Sequence, residues 1–399
     1  MINKKFLNTI LLCATIINFF YNAIYRPLSV KNGFYDFRVL LAAGKEARKN
    51  NPDFYQPVIY RKTDFNYLPI VSLLFLPFTF FPDNIAVLIW FFFNLCLLVL
   101  LFFIICKINN LVFKNKFFFI TSILLLNFNP LFETIKWGQL NILLLLLILF
   151  SLYFFLLKKD LLSGFFLGIS IILKILPIIF FIYFIIHKKF KILFSATITI
   201  FFFIFLSLAF FGYNINYDYF FKKLPETAKY GHRGNFYNQS FQSLCFRLFW
   251  KDNGYTIAWF DNFKFAVFLS NFIRVLLFLL LIFFLFSQKY SHSLSFCLFS
   301  FLITLSSINL IHSLSWEHHY LFSIYLFIFI FIFFKIHSYR SYLFFILLFL
   351  YLIIALKFPY DNKIFAQGFL ILLSGIKLYA LTIFWCLCLI IGFARLKFL

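Results

Sequence analysis

The sequence predicts an all-helical, polytopic integral membrane protein, and three observations carry that prediction. Of 399 residues, 64% are apolar and only 12% are charged, at a mean hydropathy of +0.96; a soluble domain has roughly 45–50% apolar and about 25% charged residues. The apolar residues are gathered in runs near the length of about 20 that crosses a hydrocarbon core of about 30 Å. Lys and Arg lie in short clusters between those runs and not in one stripe, so the formal charge of +23 reads as membrane topology and anionic-lipid contact, with no nucleic-acid partner. The 71 Phe residues accompany abundant Ile, Leu, Lys and Asn, a sign of coding bias that says little about function. Seven cysteines form no disulfide or metal framework: Cys13, Cys96, Cys106, Cys297, Cys386 and Cys388 lie in or beside apolar runs, and only Cys245 falls in a polar region.

Taken in order, the runs predict spans over 6–25, 84–106, 140–157, 192–211, 264–286, 293–313, 320–336, 342–357 and 369–393. A shorter one over 117–130 ends at Asn129-Pro130, because proline disfavours helix in the residue before it; together they make about ten full spans. The first is flanked by Lys4 and Lys5 with no small-residue cleavage site after it, which reads as an uncleaved anchor. Residues 69–82, between Pro69 and Pro82, are too short to cross and are expected as a re-entrant or interfacial helix. Segment 161–187 carries Lys174 and Pro177 near its midpoint, predicting two short helices hinged there, which a membrane tolerates where backbone lines a cavity. The whole chain, 1–399, reads as one transmembrane domain, with outer loops over 26–68 and 212–262 and C-terminal spans over 264–399.

Short loops rich in Lys and Arg belong on the cytoplasmic side. These are Lys4/Lys5, Lys107/Lys114/Lys116, Lys158/Lys159, Lys188/Lys189/Lys191, Lys289, Arg340 and Arg395/Lys397. With all of them inside, twelve of the thirteen carboxylates face outward, including Asp53, Asp64 and Asp361, and only Asp160 stays in. Acid–base chemistry is therefore expected on the outer face. Trp137, Trp250, Trp259 and Trp316 fall on that side near span ends, where an aromatic belt accounts for them and sugar stacking is the alternative.

The first outer loop predicts a juxtamembrane helix over roughly 35–49, ended by Asn50-Asn51-Pro52. At 100° per residue, Phe34, Phe37, Leu41 and Gly44 share one face, Arg38, Lys45 and Lys49 a second, and Asp36, Leu40, Ala43 and Ala47 a third. Asp36 is then expected at the start of a helix lying on the membrane, on a face that a substrate can approach. An acidic residue there is also explained by the helix dipole alone.

A series of short motifs runs along the chain in order: Tyr35-Asp36-Phe37 with Ala42-Ala43-Gly44, Tyr67-Leu68-Pro69 and Leu76-Pro77, Trp90 and Asn94, Gly138-Gln139-Leu140-Asn141, Gly164 and Gly168 with Lys174 and Pro177, Asn238-Gln239-Ser240, and Trp316-Glu317-His318-His319. This order over about 34–320 resembles glycosyltransferase family 87 of the bacterial GT-C enzymes. The resemblance implies a GT-C-like fold and similarity to polyprenol-phosphate-mannose-dependent mannosyltransferases, which are metal-independent in the better understood cases and take an Asp of the first outer loop as base. That role falls on Asp36. Many GT-C enzymes carry a paired acidic motif here, whereas Asp36 has no adjacent carboxylate.

The resemblance implies a hexose, mannose first, moved from a polyprenyl phosphate to a glycan or glycolipid acceptor at the outer, periplasmic face of the cytoplasmic membrane. The lipid-linked sugar is a substrate, so no cofactor is expected. In an inverting displacement a carboxylate takes the acceptor's hydroxyl proton, and the departing phosphate needs cationic or hydrogen-bonding partners. Lys174, His318, His319, Arg233, Arg247 and Arg26 are candidates for the latter. Lys174 lies within an apolar run, where a charge points to function or snorkels to the interface. Arg274 and Lys377 raise the same question and are read as structural. Two adjacent histidines point about 100° apart on a helix and no Cys or paired Asp completes a set, so no metal site is expected. Gln139 and Asn141 either bind sugar hydroxyls or cap the 140–157 span. Asn238 and Gln239 are expected to line the site from the second outer loop. The rival reading is a transporter or flippase with broken helices, against which no internal repeat and no mid-span carboxylate is found.

Overall fold

A computed structural model describes residues 4–30, 33–49, 54–55, 65–113, 117–230, 234–288, 293–337, 341–360 and 362–394. Arg233, Asn50-Asn51-Pro52, Asp53, Asp64, Asp361 and the cluster residues Lys114, Lys116, Lys289, Arg340, Arg395 and Lys397 lie outside them. The described chain is all-helical, its single β-bridge joining Asn238 to Trp316.

Among the described residues, six helices are long and apolar enough to cross a membrane: Asn8–Ser29, Asp83–Val112, Phe190–Ala228, Phe263–Gln288, Leu294–Ile311 and Ile376–Phe393. A bent pair, Phe118–Leu126 with Asn129–Trp137, makes a seventh if it counts as one span. The protein is thus a multi-pass membrane protein, with fewer candidate spans among its described residues than the expected ten. Hydropathy measures apolar content and not helix continuity. The 140–157 run yields a helix of only 16 residues, Asn141–Leu156, because Lys158 takes a left-handed conformation (φ 59°) that ends it. The 342–357 run yields only the 15 residues of Ser341–Ala355, whereas the 369–393 run, interrupted at Ser374-Gly375, still supplies the spanning helix Ile376–Phe393. The 320–336 run starts inside a 3-10 turn, Glu317–Ser323.

The chain divides into two compact units, Met1–Ile108 with Leu131–Ile178 and Lys188–Lys229, and Asn109–Pro130 with Ile179–His187 and Tyr230–Leu399. In the first unit, Asn141–Leu156 and Asp160–Leu173 form an antiparallel hairpin, tied near its turn by the Ser151 and Ser163 hydroxyls at 3.2 Å. The second arm then packs parallel to the start of Phe190–Tyr217. Gly164 and Gly168 are why they can approach: a Cβ on Gly164 would sit 2.2 Å from the Ile192 carbonyl oxygen, and one on Gly168 2.6 Å from Thr199 Cβ. This is a small-residue seam of the kind that lets membrane helices meet backbone to backbone. The arm ends at Lys174, in extended conformation, before the turn Leu176–Ile179. The expected hinge is there.

The juxtamembrane helix is Tyr35–Arg48, close to the expected 35–49. Its setting differs from the expectation. Leu40, Ala43 and Ala47, on the Asp36 face, are buried, as are Phe37, Leu41 and Gly44 on the next. Gly44 lies against the backbone of Phe75 in a 3-10 segment, Pro69–Phe80, with room for only a 3.1 Å approach from a Cβ. The helix is therefore packed into protein on two faces. Only its N-terminal end leaves Asp36 half-buried.

In the second unit, Asn238-Gln239-Ser240 clamps the 313–317 segment. Gln239 N–H donates to the Ser315 carbonyl (2.7 Å), Ser315 N–H to Asn238 Oδ1 (2.9 Å), and Ser240 Oγ to the Ser313 carbonyl (2.7 Å). Ser240 also caps Phe241–Phe249 by accepting from Ser243 N–H.

Candidate active site

Three turns in the first unit converge on Asp36. Phe34, just before its helix, sits at φ 60°, a left-handed conformation that is uncommon for a bulky side chain and marks a constrained position. Phe34 N–H donates to the Lys136 carbonyl at 2.8 Å, so the start of the Asp36 helix is tied to the end of Asn129–Trp137. That helix ends in a Schellman motif: Gly138 N–H bonds to the Ile135 carbonyl and Gln139 N–H to the Thr134 carbonyl, each at 3.0 Å. Gly138 is left-handed (φ 69°), and a Cβ there would lie 2.7 Å from Phe37 Cβ. Glycine is thus required twice, by conformation and by space. Trp90 fastens the two pieces together, its ring stacked on Phe37 at 5.3 Å and its Nε1–H donating to the Gly138 carbonyl at 2.9 Å.

The turn so fixed presents Gln139 to the carboxylate, and Gln139 Nε2–H donates to Asp36 Oδ2 at 2.5 Å. The amide's other end accepts from Lys174 Nζ at 3.3 Å. Lys174 donates again to Asn141 Oδ1 at 2.8 Å, and its ammonium lies 5.8 Å from the centre of the Tyr67 ring. Asp36 and Lys174 are half-buried; Gln139 and Asn141 are buried. Burial pushes the Asp36 carboxyl up to about 6, while the Gln139 hydrogen bond and the Lys174 charge pull it back down. Burial, with the Asp36 charge, also raises the Tyr67 phenol, which stays protonated and able to donate. The arrangement is a desolvated carboxylate poised near neutral pH, held in one orientation, with a cation one amide away. It suits proton abstraction from a hydroxyl beside an anionic group.

Four of the expected site residues, Asp36, Gln139, Asn141 and Lys174, therefore meet in one unit. Asn238, Gln239, His318 and His319 meet in the other. Asn238 and Gln239 are wholly buried and bond to backbone: Gln239 Nε2–H donates to the carbonyls of Phe236 (2.6 Å) and Ser374 (2.8 Å). His318 and His319 stand ring-perpendicular, centres 4.7 Å apart, with His318 lying parallel to Trp316 at 6.3 Å. Among the described residues no three His, Cys, Asp or Glu side chains converge as metal ligands do. Arg26 pairs with buried Glu133 at 3.3 Å, and Glu133 also accepts from Lys136 Nζ and Trp137 Nε1. Arg247 is fully buried; its Nη1 donates to the Asn235 and Asn238 carbonyls and Ser243 Oγ, while its Nε and Nη2 find no acceptor.

Two features escaped the sequence reading. Lys377, read as structural on its own, forms a buried ion pair with Glu317, whose Oε1 also accepts from Asn129 Nδ2 at 2.7 Å. Tyr67 had a motif to flag it but no sign that it would lie beside Lys174.

A family profile described as glycosyltransferase family 87 matches residues 65–307. No curated protein and no solved structure matches the chain.

Proposed function

Because the chain belongs to glycosyltransferase family 87, and is a membrane-embedded transferase taking a sugar donor and an acceptor, we propose that it moves a hexose, mannose first among the candidates, from a polyprenyl phosphate to a glycan or glycolipid. We place the reaction at the outer face of the cytoplasmic membrane, with inversion at the anomeric carbon. The observation that carries this reading is the Asp36–Gln139–Lys174 chain of contacts.

In that scheme the Asp36 carboxylate accepts the proton of the acceptor hydroxyl as its oxygen attacks the anomeric carbon. The bond to the phosphate oxygen breaks and the polyprenyl phosphate leaves with the electron pair. Gln139 keeps one carboxylate lone pair occupied, so the other oxygen faces the acceptor. Lys174, held by Asn141 and Gln139, offers its charge to the leaving phosphate. A donor anchored in the bilayer suits a half-buried site at a juxtamembrane helix, since its tail need not leave the hydrocarbon. His318 and His319 of the Trp316-Glu317-His318-His319 motif, with Asn238, Gln239 and Arg233, are proposed as further substrate contacts on the strength of the sequence alone. Asp36→Asn protein, assayed in nanodiscs with radiolabelled polyprenyl-phosphate hexoses and cell lipid extract, is expected to lose turnover at unchanged abundance. Undiminished turnover would remove Asp36 from the mechanism.

A further inference from the structure

At the far end of the Asn141–Leu156 and Asp160–Leu173 hairpin, the chain builds a second polar feature. Asn141–Leu156 has 16 residues, which separates this end from Asn141 and Lys174 by roughly 24 Å at 1.5 Å per residue. Lys158, Lys159 and Asp160 close the hairpin there, and Lys191, from the parallel helix Phe190–Tyr217, comes alongside. Together with Leu161 and Leu162 they line an open cavity of about 500 Å³.

The turn carries an anomaly. Lys158 occupies the C′ position of a Schellman motif, with its N–H bonded to the Phe155 carbonyl (2.9 Å) and the Lys159 N–H to the Phe154 carbonyl (2.8 Å). Its φ is 59°, where glycine fits without strain and a side chain does not. Lys188, opening the segment that leads to Lys191, repeats the anomaly at φ 55°. Of three non-glycine residues with positive φ among the described residues, two are these lysines. Strain kept in the backbone at two neighbouring turns, each time under an ammonium, indicates that the side chains are wanted.

What surrounds the cavity identifies the ligand. Leu161, Leu162 and Phe165 on one helix and Phe190, Phe194 and Ile198 on the other are all exposed, as residues facing lipid tails are. Lys158, Lys159 and Lys191 against Asp160 leave an excess of positive charge directly above that apolar strip.

We propose that this cavity is a binding site for an anionic membrane lipid, its phosphate-bearing headgroup among Lys158, Lys159 and Lys191 and its acyl chain along Leu161, Leu162 and Phe194. The site is separate from the Asp36 centre and does not depend on the donor assigned to it.

The test titrates detergent-purified full-length protein with phosphatidylglycerol, bis-phosphatidylglycerol, phosphatidylcholine or inorganic phosphate, reading bound lipid by native mass spectrometry and Tm by thermal unfolding. Each lysine contributes roughly fivefold to affinity for an anionic surface, so K159Q/K191Q is expected to weaken binding of both anionic lipids on the order of 25-fold. The control K251Q/K264Q should leave it unchanged. K158G, which relieves the backbone, should raise Tm in phosphatidylcholine and lessen the Tm gain that anionic lipid confers. Equal weakening by the control pair, equal binding of phosphatidylcholine, or saturation by inorganic phosphate with no added lipid affinity would each overturn the proposal.

Discussion

Replacing Lys174 by methionine removes one positive charge and keeps the volume of the side chain, and its effect on Asp36 can be worked from the geometry. The bridge through Gln139, 2.5 Å at one end and 3.3 Å at the other, holds the ammonium no more than about 8 Å from the carboxylate. At an effective dielectric of about 20 the pair interacts by about 2 kcal/mol, and 1.36 kcal/mol corresponds to one pH unit. Asp36, already up at about 6 through burial, should rise further once the Lys174 charge no longer pulls it down. The sign follows from the role: a base works only when ionised, so kcat/KM falls as pH drops through the carboxyl's pKa. Wild type is expected to lose activity tenfold per pH unit below about 6, and K174M to begin that loss at a higher pH. At pH 6.5 about three-quarters of wild-type Asp36 is ionised and a smaller share in the variant, a several-fold deficit that closes as pH rises. The assay is sugar transfer in nanodiscs across pH 5–9, with KM for the donor followed separately. A deficit of the same size at every pH would refute the electrostatic coupling and leave Lys174 as a donor contact only. A pH profile identical to wild type would remove it from the site altogether.

Further substitutions at three places test the framework. G138A must place a Cβ 2.7 Å from Phe37 Cβ in a left-handed residue, where conformation alone costs about 1–2 kcal/mol. A lowered Tm and a lowered kcat are both expected, and an indifferent variant would mean that the turn does not present Gln139. Either E317Q or K377M strands a buried charge or its polar partner, with a loss of up to about 3–5 kcal/mol, while the double variant E317L/K377M should recover most of it; thermal unfolding of all three in detergent checks this. G164L, whose side chain would enter the backbone of the neighbouring helix at Ile192, should abolish accumulation of folded protein in the membrane, as judged by size-exclusion chromatography of a fluorescent fusion.

The sequence carried the class of fold because hydropathy and charge placement are written residue by residue, and it carried the hinge at Lys174 and Pro177 because both residues are costly inside a spanning helix. Span number was less legible. A run such as 140–157 contains enough apolar residues to cross, yet Lys158 ends its helix after 16 residues, and no window average registers one left-handed residue. Gln139, Asn141 and Lys174 were named through the family resemblance, but the order in which they bond is a matter of three turns meeting. The Schellman geometry at Gly138 and the strained Phe34 emerge only once Trp90 brings them together. Glu317 and Lys377 are 60 residues apart, and an ion pair at that separation leaves no local pattern. The amphipathic faces of Tyr35–Arg48 were periodic as expected; their burial against Pro69–Phe80 was not readable, since periodicity does not distinguish a membrane surface from a protein one.

The most direct test of the account compares wild-type and D36N protein in single-turnover transfer from a radiolabelled polyprenyl-phosphate hexose, with Tm measured on the same samples. Because Asp36 is ionised at a desolvated position, D36N should be at least as stable as wild type above pH 6. The account predicts a rate 10²- to 10⁴-fold lower, the range of a lost general base, with the donor still bound. A D36N rate within a few-fold of wild type, or no product from folded wild-type protein with any polyprenyl-phosphate hexose, would contradict it.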